Sequence, residues 1–443
     1  MKLDYTLDRQ KRLASWKRNR HHTDGSDAVK CPTVVKTYVV QKSKMDDADY
    51  DFVMAGTEYF PMAARTLQSF VGLVFRKEPI FDGSNLFPEV VSVDAQTAEE
   101  LARACMREYM ITNDGGLFVD TPDTPAGASE LEIEALNLYS YQSLYPAEAI
   151  RELRFKAING KKRLVYVRLV EDDDHGRELE LINNEYRATV WTKSDKGWSS
   201  YTITPLIGGK PLKDIPFIPL NDGGNGAAMD NLCATNVVHF TKSFMLNNAE
   251  AWVSAPVMAI AGAAEDEATD LDCSFGAFWV FQNEKANWGF IEYKGDGVPL
   301  IERDLDRLEQ HGSMLGSRML IQEKSVSEAE GTVARRQAGE NSILASMARH
   351  VGARATQALK LQAKMMRKDE SEVRYTLSTD FVPAIMDPAF MTALFNGRDK
   401  NYIPNQALFE ALQKGDVVDA SWTYEQFQTA LEMQSGVTGS TIG

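Results

Sequence analysis

The sequence predicts an α+β fold in which a block of period-two strands lies between long helical segments. Three observations carry that expectation. Between Arg151 and Leu220 apolar residues alternate with polar ones, as a half-buried antiparallel sheet requires. From Met229 to Trp252 the apolar residues Met229, Cys233, Val237, Phe240 and Phe244 fall four, four, three and four apart, one face of a helix. The 443 residues, 44% hydrophobic and 25% charged, have the composition of a globular chain long enough for two or three domains.

Residues 1–50 are polar, mixed in charge and weakly periodic, and read as an N-terminal arm. From Tyr50 to Phe75 the spacing of Phe52, Tyr59, Met62, Ala63, Leu67, Phe70, Val71 and Val74 predicts a helix, stopped by Arg76, Lys77 and Pro79. A second helix is predicted over Ala95 to Met110 with Thr97 as its cap. Asn113-Asp114-Gly115-Gly116 is a turn, and Leu117 to Asp120 a short buried strand. Glu130 to Ser143 reads as helical. Strands follow at Arg163 to Val170, Tyr186 to Thr192 and Tyr201 to Leu206. Glu171-Asp-Asp-Asp-His-Gly176 has no calcium-loop spacing and reads as a solvated hairpin tip rather than a cation site.

After the glycine-bearing loop at 221–226 comes the striped helix already noted. Short apolar strands at Pro256 to Ile260, Ala277 to Phe281 and Gly289 to Tyr293 surround an acidic loop, Glu265-Asp-Glu267. Another helix, from Pro299 to about Leu320, carries Leu305, Leu308, Leu315 and Met319 on one side and Glu302, Asp304, Asp306 and Glu309 on others. A polar segment, 321–331, leads into a long helix from about Thr332 to Met366, whose end is basic as the helix dipole prefers. A strand from Val373 to Leu377 and helices near 387–396, 404–414 and 421–434 close the chain.

The net charge of -15 sets the molecule as a whole against tight binding of nucleic acid, leaving a passage wall or small basic patches as the ways it would meet DNA. Cys31, Cys105, Cys233 and Cys273 are far apart and form no CxxC pair, so reduced thiols are expected. The basic N-terminus has no apolar run behind it, and no stretch approaches a membrane span, which predicts a chain that stays on the cytoplasmic side. None of the six histidines (His21, His22, His175, His239, His311, His350) has the spacing of a zinc helix. The glycine cluster at 223–226 lacks the Lys-Ser/Thr of a P-loop, and GxSxG is absent. An enzyme is therefore the weaker expectation, and neither metal nor cofactor is implied.

Several landmarks in order carry a family likeness. They begin with Trp16, the Asp24-Gly25 turn with Val29-Lys30, Gly72-Leu-Val-Phe-Arg-Lys-Glu-Pro79 and Gly115-Gly-Leu-Phe-Val-Asp-Thr-Pro122. Tyr145-Pro-Ala-Glu-Ala-Ile150 and Ile215-Pro-Phe-Ile-Pro219 follow, then Asp230-Asn-Leu232 with Asn236 and His239. Ala255-Pro256, Ala261-Gly262, Gly276 to Trp279, Leu315-Gly316 with Glu328 and Ala334, and Asp380-Phe381 complete the series. Over roughly residues 5 to 430 the chain resembles the portal proteins of tailed bacteriophages. It departs from them in the basic run Arg18 to His22 and in spacing around 30–50.

The resemblance implies a ring, typically of twelve subunits, at one capsid vertex of the virion, assembled in the host cytoplasm. It implies an arm (1–50), an α/β wing (51–228), a first stem helix (229–252), a β-containing clip (253–298) and a second stem helix (299–320). A tunnel loop (321–331), a channel helix (332–367), a wing return strand (368–386) and a small helical crown (387–443) would follow. Lys324, Ser325, Arg335, Arg336, Glu302, Asp306 and Glu309 would face the channel, with salt bridging between subunits as the other reading of Arg335 and Arg336. Glu265, Asp266, Glu267 and Asp270 in the clip would meet partners. The implied partners are further copies of the chain, double-stranded DNA held weakly and without sequence preference, the large terminase subunit, a head–tail adaptor and the major capsid protein, with no membrane. Another minor head or adaptor protein is the alternative, and a metal-dependent hydrolase or nuclease a more distant one.

Overall fold

The computed structural model describes residues 4–41, 45–122, 132, 135–136, 138–195, 197–207, 209–221, 226–254, 257–261, 287–291, 295–318, 343–381, 388–400, 402–414, 417–418 and 422–438. The fold is α+β, with helices and antiparallel sheets alternating along the chain. It opens with α1 (Leu7–Asp24), the short α2 (Ser26–Lys30) and α3 (Pro32–Tyr38), α4 (Asp47–Gly56) and α5 (Met62–Val74). Residues 7–24, expected within an arm, are thus a helix with Trp16, Asn19 and His22 buried. The single helix expected from Tyr50 to Phe75 is two, because the chain leaves helical geometry at Thr57 and restarts after Pro61, whose ring cannot continue a helix.

A strand, β1 (Ile80–Asp82), leads to α6 (Ala98–Thr112). Thr97 caps α6 as expected: its side chain accepts from the Glu100 amide while the Glu100 carboxylate accepts from the Thr97 amide. At the other end Asn113 takes a left-handed conformation and the chain turns into β2 (Gly116–Asp120). A side chain at position 116 would collide with the Phe217 ring, which is why the turn ends in glycine. β2 lies between β3 (Tyr141–Tyr145) and β11 (Phe217–Pro219). Tyr141 to Ser143, expected as the end of a helix over Glu130 to Ser143, are therefore strand: pairing with buried β2 outweighs local preference there, and most of 130–137 lies outside the described residues.

Five antiparallel strands follow in sequence order: β4 (Ile150–Ile158), β5 (Lys161–Val170), β6 (His175–Ile182), β7 (Glu185–Ser194) and β8 (Gly197–Ile203). Asn159-Gly160 and Asn183-Asn184 all have positive φ, the mirror-image turn that matches strand twist. One face of this sheet buries Val167, Leu169, Leu179, Tyr186 and Ala188 with Phe118, Ile150, Ile215 and Phe217. The small β9 (Leu206–Ile207) and β10 (Lys210–Pro211) pair before β11.

Two long helices come next, α7 (Asp230–Ser254) and α8 (Val298–Arg318), and between them β12 (Val257–Ala261) pairs antiparallel with β13 (Asn287–Ile291). α9 (Ile343–Met365) runs through the main core, burying Leu344, Ala345, Ala348, Val351, Ala355, Ala358 and Leu359 against α5, α6 and β2. The part of the expected channel helix that is described is therefore the spine of the body. β14 (Arg374–Thr376) pairs with β1. α10 (Pro388–Asp399), α11 (Asn405–Lys414) and α12 (Tyr424–Thr438) end the chain where helices were expected, with Leu408, Phe409 and Leu412 buried.

Candidate channel-lining helix pair

The landmark residues of α7 turn out to be the polar fittings that hold this helix in the body. Asp230, the first residue of α7, accepts from the amide of Ala227 in the chain leading into the helix at 2.7 Å and also receives Asn19 at 2.9 Å and Arg18 at 3.0 Å. Asn236 is fully buried; it accepts from the Ala63 amide at 3.1 Å and donates to the Phe60 carbonyl at 2.9 Å. It thus satisfies an orphan donor in the first turn of α5, whose own N-cap is Pro61 and supplies no side-chain bond. Met229, Cys233, Phe240 and Phe244 of the predicted stripe are core residues, whereas Val237 is only half-buried. Burial raises the Cys233 thiol to about 12, so it is an inert core group.

α8 runs antiparallel to α7, as three contacts in reverse order show. Asp304 pairs with Lys242 at 3.0 Å, Glu309 reaches His239 at 3.4 Å, and Gly312 approaches Leu232. The Lys242 ammonium, by hydrogen bond and then by charge, draws the Asp304 carboxyl below the usual carboxylate range. Gly312 and Gly316 let α8 sit against α5: a Cβ at Gly312 would collide with the Met62 sulfur, and one at Gly316 would touch Thr66 at 3.5 Å. Leu308 and Leu315 are half-buried, while Glu302, Asp306 and Glu309 are exposed and share one face at intervals of four and three. Arg303 and Arg307 stand beside them, and Arg307 pairs with Asp304 at 3.2 Å.

Of the expected channel residues, then, the structure brings Glu302, Asp306 and Glu309 together as an acidic stripe. Lys324, Ser325, Arg335 and Arg336, and the clip residues Glu265, Asp266, Glu267 and Asp270, lie outside the described residues, as does Cys273. Among the described residues no group of histidine, cysteine or carboxylate side chains is arranged to hold a metal ion, and no helix is long and apolar enough to cross a membrane.

Sequence reasoning missed a network beneath α7. Arg9 donates to Asp114 at 2.9 Å and Arg12 to the same carboxylate at 3.1 Å. Arg12, the Trp16 indole and Asn19 also donate to the carbonyls of Thr112, Asn113 and Ile111, the unpaired acceptors at the end of α6. Arg20 bridges Glu108 and Glu148; burial opposes its charge, but those two carboxylates raise its pKa overall. The basic residues from Arg9 to Arg20 thus form an internal strap. The sequence signal for it was Arg9, Arg12, Trp16 and Arg20 recurring three and four apart.

A family model described as "Domain of unknown function (DUF4055)" matches residues 228–366, from just before α7 to just past α9. No curated protein matches the chain. Among solved structures the chain is similar to one described as the neck of a native GTA particle computed with C12 symmetry. The TM-score is 0.38 at 10% sequence identity, covering 84% of this chain and 94% of that one.

Proposed function

We propose that this chain is a portal-type subunit of a tailed phage particle. In this reading copies of it close into a ring at one capsid vertex, pass double-stranded DNA during packaging and ejection, and join head to tail. The role is structural rather than enzymatic. Large terminase, a head–tail adaptor and the major capsid protein are its proposed partners, and the virion its location.

The observation that carries the reading is the antiparallel pair α7 and α8 with the paired strands β12 and β13 between them in the chain. In the order of the chain this is stem, clip and stem, followed by a long helix that re-enters the body. The 25 residues of α7 span about 37 Å at ~1.5 Å per residue, close to one turn of duplex DNA at ~34–36 Å. An acidic stripe on α8 suits a wall past which DNA slides, because each added phosphate contact would tighten the grip. The landmarks shared with portal proteins fall on working parts of this architecture: Asp230, Asn236 and His239 on α7, Gly316 on α8.

Electron microscopy of the purified chain, with particle mass measured in parallel, tests it. The expected result is a ring with an open axial hole and a mass of about twelve times 49.4 kDa. A compact monomer or dimer at every salt and protein concentration would overturn the portal reading.

A further inference from the structure

The first hairpin of the five-stranded sheet breaks a local rule. Lys156 of β4 stands directly opposite Arg163 of β5, and Lys161 shares that face, so like charges crowd one side of a two-stranded tip. On the other face Lys162 lies over the Phe155 ring, 4.6 Å from its centroid, and both residues are exposed. Arg163 is answered by Asp214 at 2.7 Å and Arg154 by Glu152 at 2.9 Å. Lys156, Lys161 and Lys162 make no ion pair with the described residues. In β5 burial begins only beyond Leu164, so the tip stands clear of the core. Such a concentration of lysines without an ion pair among the described residues, on a chain of net charge -15, disfavours its own hairpin.

Elsewhere the same chain carries a groove of complementary chemistry. A cleft of about 420 Å³ is lined by the aromatic rings of Phe81, Phe87 and Tyr375 together with Glu78, Glu89 and Glu99. Phe81 lies 5.4 Å from Phe87 and 5.5 Å from Tyr375, centroid to centroid. Tyr375 is buried, and its hydroxyl has no hydrogen-bond partner among the described residues. Glu99 pairs with Arg103 at 2.7 Å, but Glu78 and Glu89 are exposed and pair with nothing described. The positive end of α6, which also borders the cleft, is already answered by the Thr97–Glu100 capping box. Aromatic faces beneath carboxylates favour a cationic side chain that lays its apolar stem along the rings.

We infer that the β4–β5 tip of one copy docks in the Phe81–Phe87–Tyr375 groove of the next, lysines meeting Glu78 and Glu89 with Phe155 against the rings. The inference rests on the association of copies proposed above and says which surfaces meet. The two surfaces are different parts of the subunit, as a closing head-to-tail ring demands. The acidic turn at 171–174 of the same sheet is already engaged: Asp172 with His175, Asp174 with Lys193, and Glu171 with Arg177. Glu78 and Glu89 are unpaired among the described residues and have an apolar floor to receive Phe155.

The test is a charge swap in the full chain, read by sedimentation velocity at low and high salt, with circular dichroism to verify folding. The lysine-reversed variant (K156E, K161E, K162E) and the groove-reversed variant (E78K, E89K) should each associate at least about tenfold more weakly than the natural chain, and the variant carrying all five should regain association to within about threefold. Neutralising Asp173 should change nothing. Rings formed equally well by both reversed variants would overturn the docking and leave the portal reading standing. Salt-sensitive open chains that obey the swap would support the docking and remove the closed ring. A lysine-reversed variant that assembles normally but no longer retains duplex DNA would overturn the docking and make the tip a nucleic-acid contact.

Discussion

At the scale of single residues, His22 shows how completely the α1 strap is absorbed into the body. Its ring is fully buried, Nδ1 is 2.9 Å from the Tyr59 hydroxyl, and Nε2 has no partner among the described residues. Burial first, and then the neighbouring charges of His21 and Arg18, push its pKa down to about 3. An unfolded histidine titrates near ~6.5, so between that pH and about 3 the unfolded chain holds one more proton at this position than the folded one. The stability His22 contributes is therefore full above pH ~6.5 and falls as the pH drops, by up to about 1.4 kcal/mol per unit. Urea unfolding between pH 7 and pH 4 should show His22→Gln with a shallower pH dependence than the natural chain, by about one proton. Parallel curves would mean that the ring reaches solvent in the folded state. Nothing in the sequence distinguished His22 from half-buried His21, because burial is decided by which face of α1 meets α7 and α5, a tertiary fact.

At the scale of elements, the first turns of α1 are fixed through one carboxylate. Asp114 has a side chain only 2% exposed and answers both Arg9 and Arg12, which donate from two successive turns of the helix. Burial, helped by the neighbouring Arg12 charge, lowers the pKa of Arg9, and Asp114 is the group that most opposes this. Asp114→Ala would strand a buried guanidinium and unpin the C-terminal end of α6, at a cost of about 3–5 kcal/mol in urea unfolding. A loss below about 1 kcal/mol would show that water replaces the carboxylate. The sequence marked Asp114 as part of a turn and nothing more. Periodicity and turn chemistry made α6, α7, α8, β2 and β7 legible, since each carries its pattern locally. What escaped was decided across distance: Tyr141–Tyr145 became a strand because β2 lay beside it, and residues 7–24 became a core helix because the end of α6 needed donors. The β4–β5 hairpin is a different kind of miss, for Asn159-Gly160 is a strong turn signal that stood in plain view.

At the scale of the whole molecule the open matter is where the acidic stripe of α8 faces. Glu302, Asp306 and Glu309 make no contact with the core, and only Glu309 touches α7, through His239. In a closed ring each would recur once per subunit, so three side chains set the charge of an entire wall. If that wall surrounds DNA, replacing the three by lysine converts a repelling surface into one that neutralises phosphates. Retention of duplex should rise strongly at low salt. The slope of log affinity against log salt should steepen by about 0.9 for each phosphate newly engaged, which repetition around a ring would carry well beyond three. The measurement is duplex binding by the assembled particle across a salt series, beside the same substitutions made at Asp172, Asp173 and Asp174 on the sheet. Equal gains from both sets would mean that added charge alone draws DNA to the outside, and α8 would lose its place on the channel. A gain confined to the α8 set, and abolished when DNA ends are blocked from threading, would place the stripe on the axis.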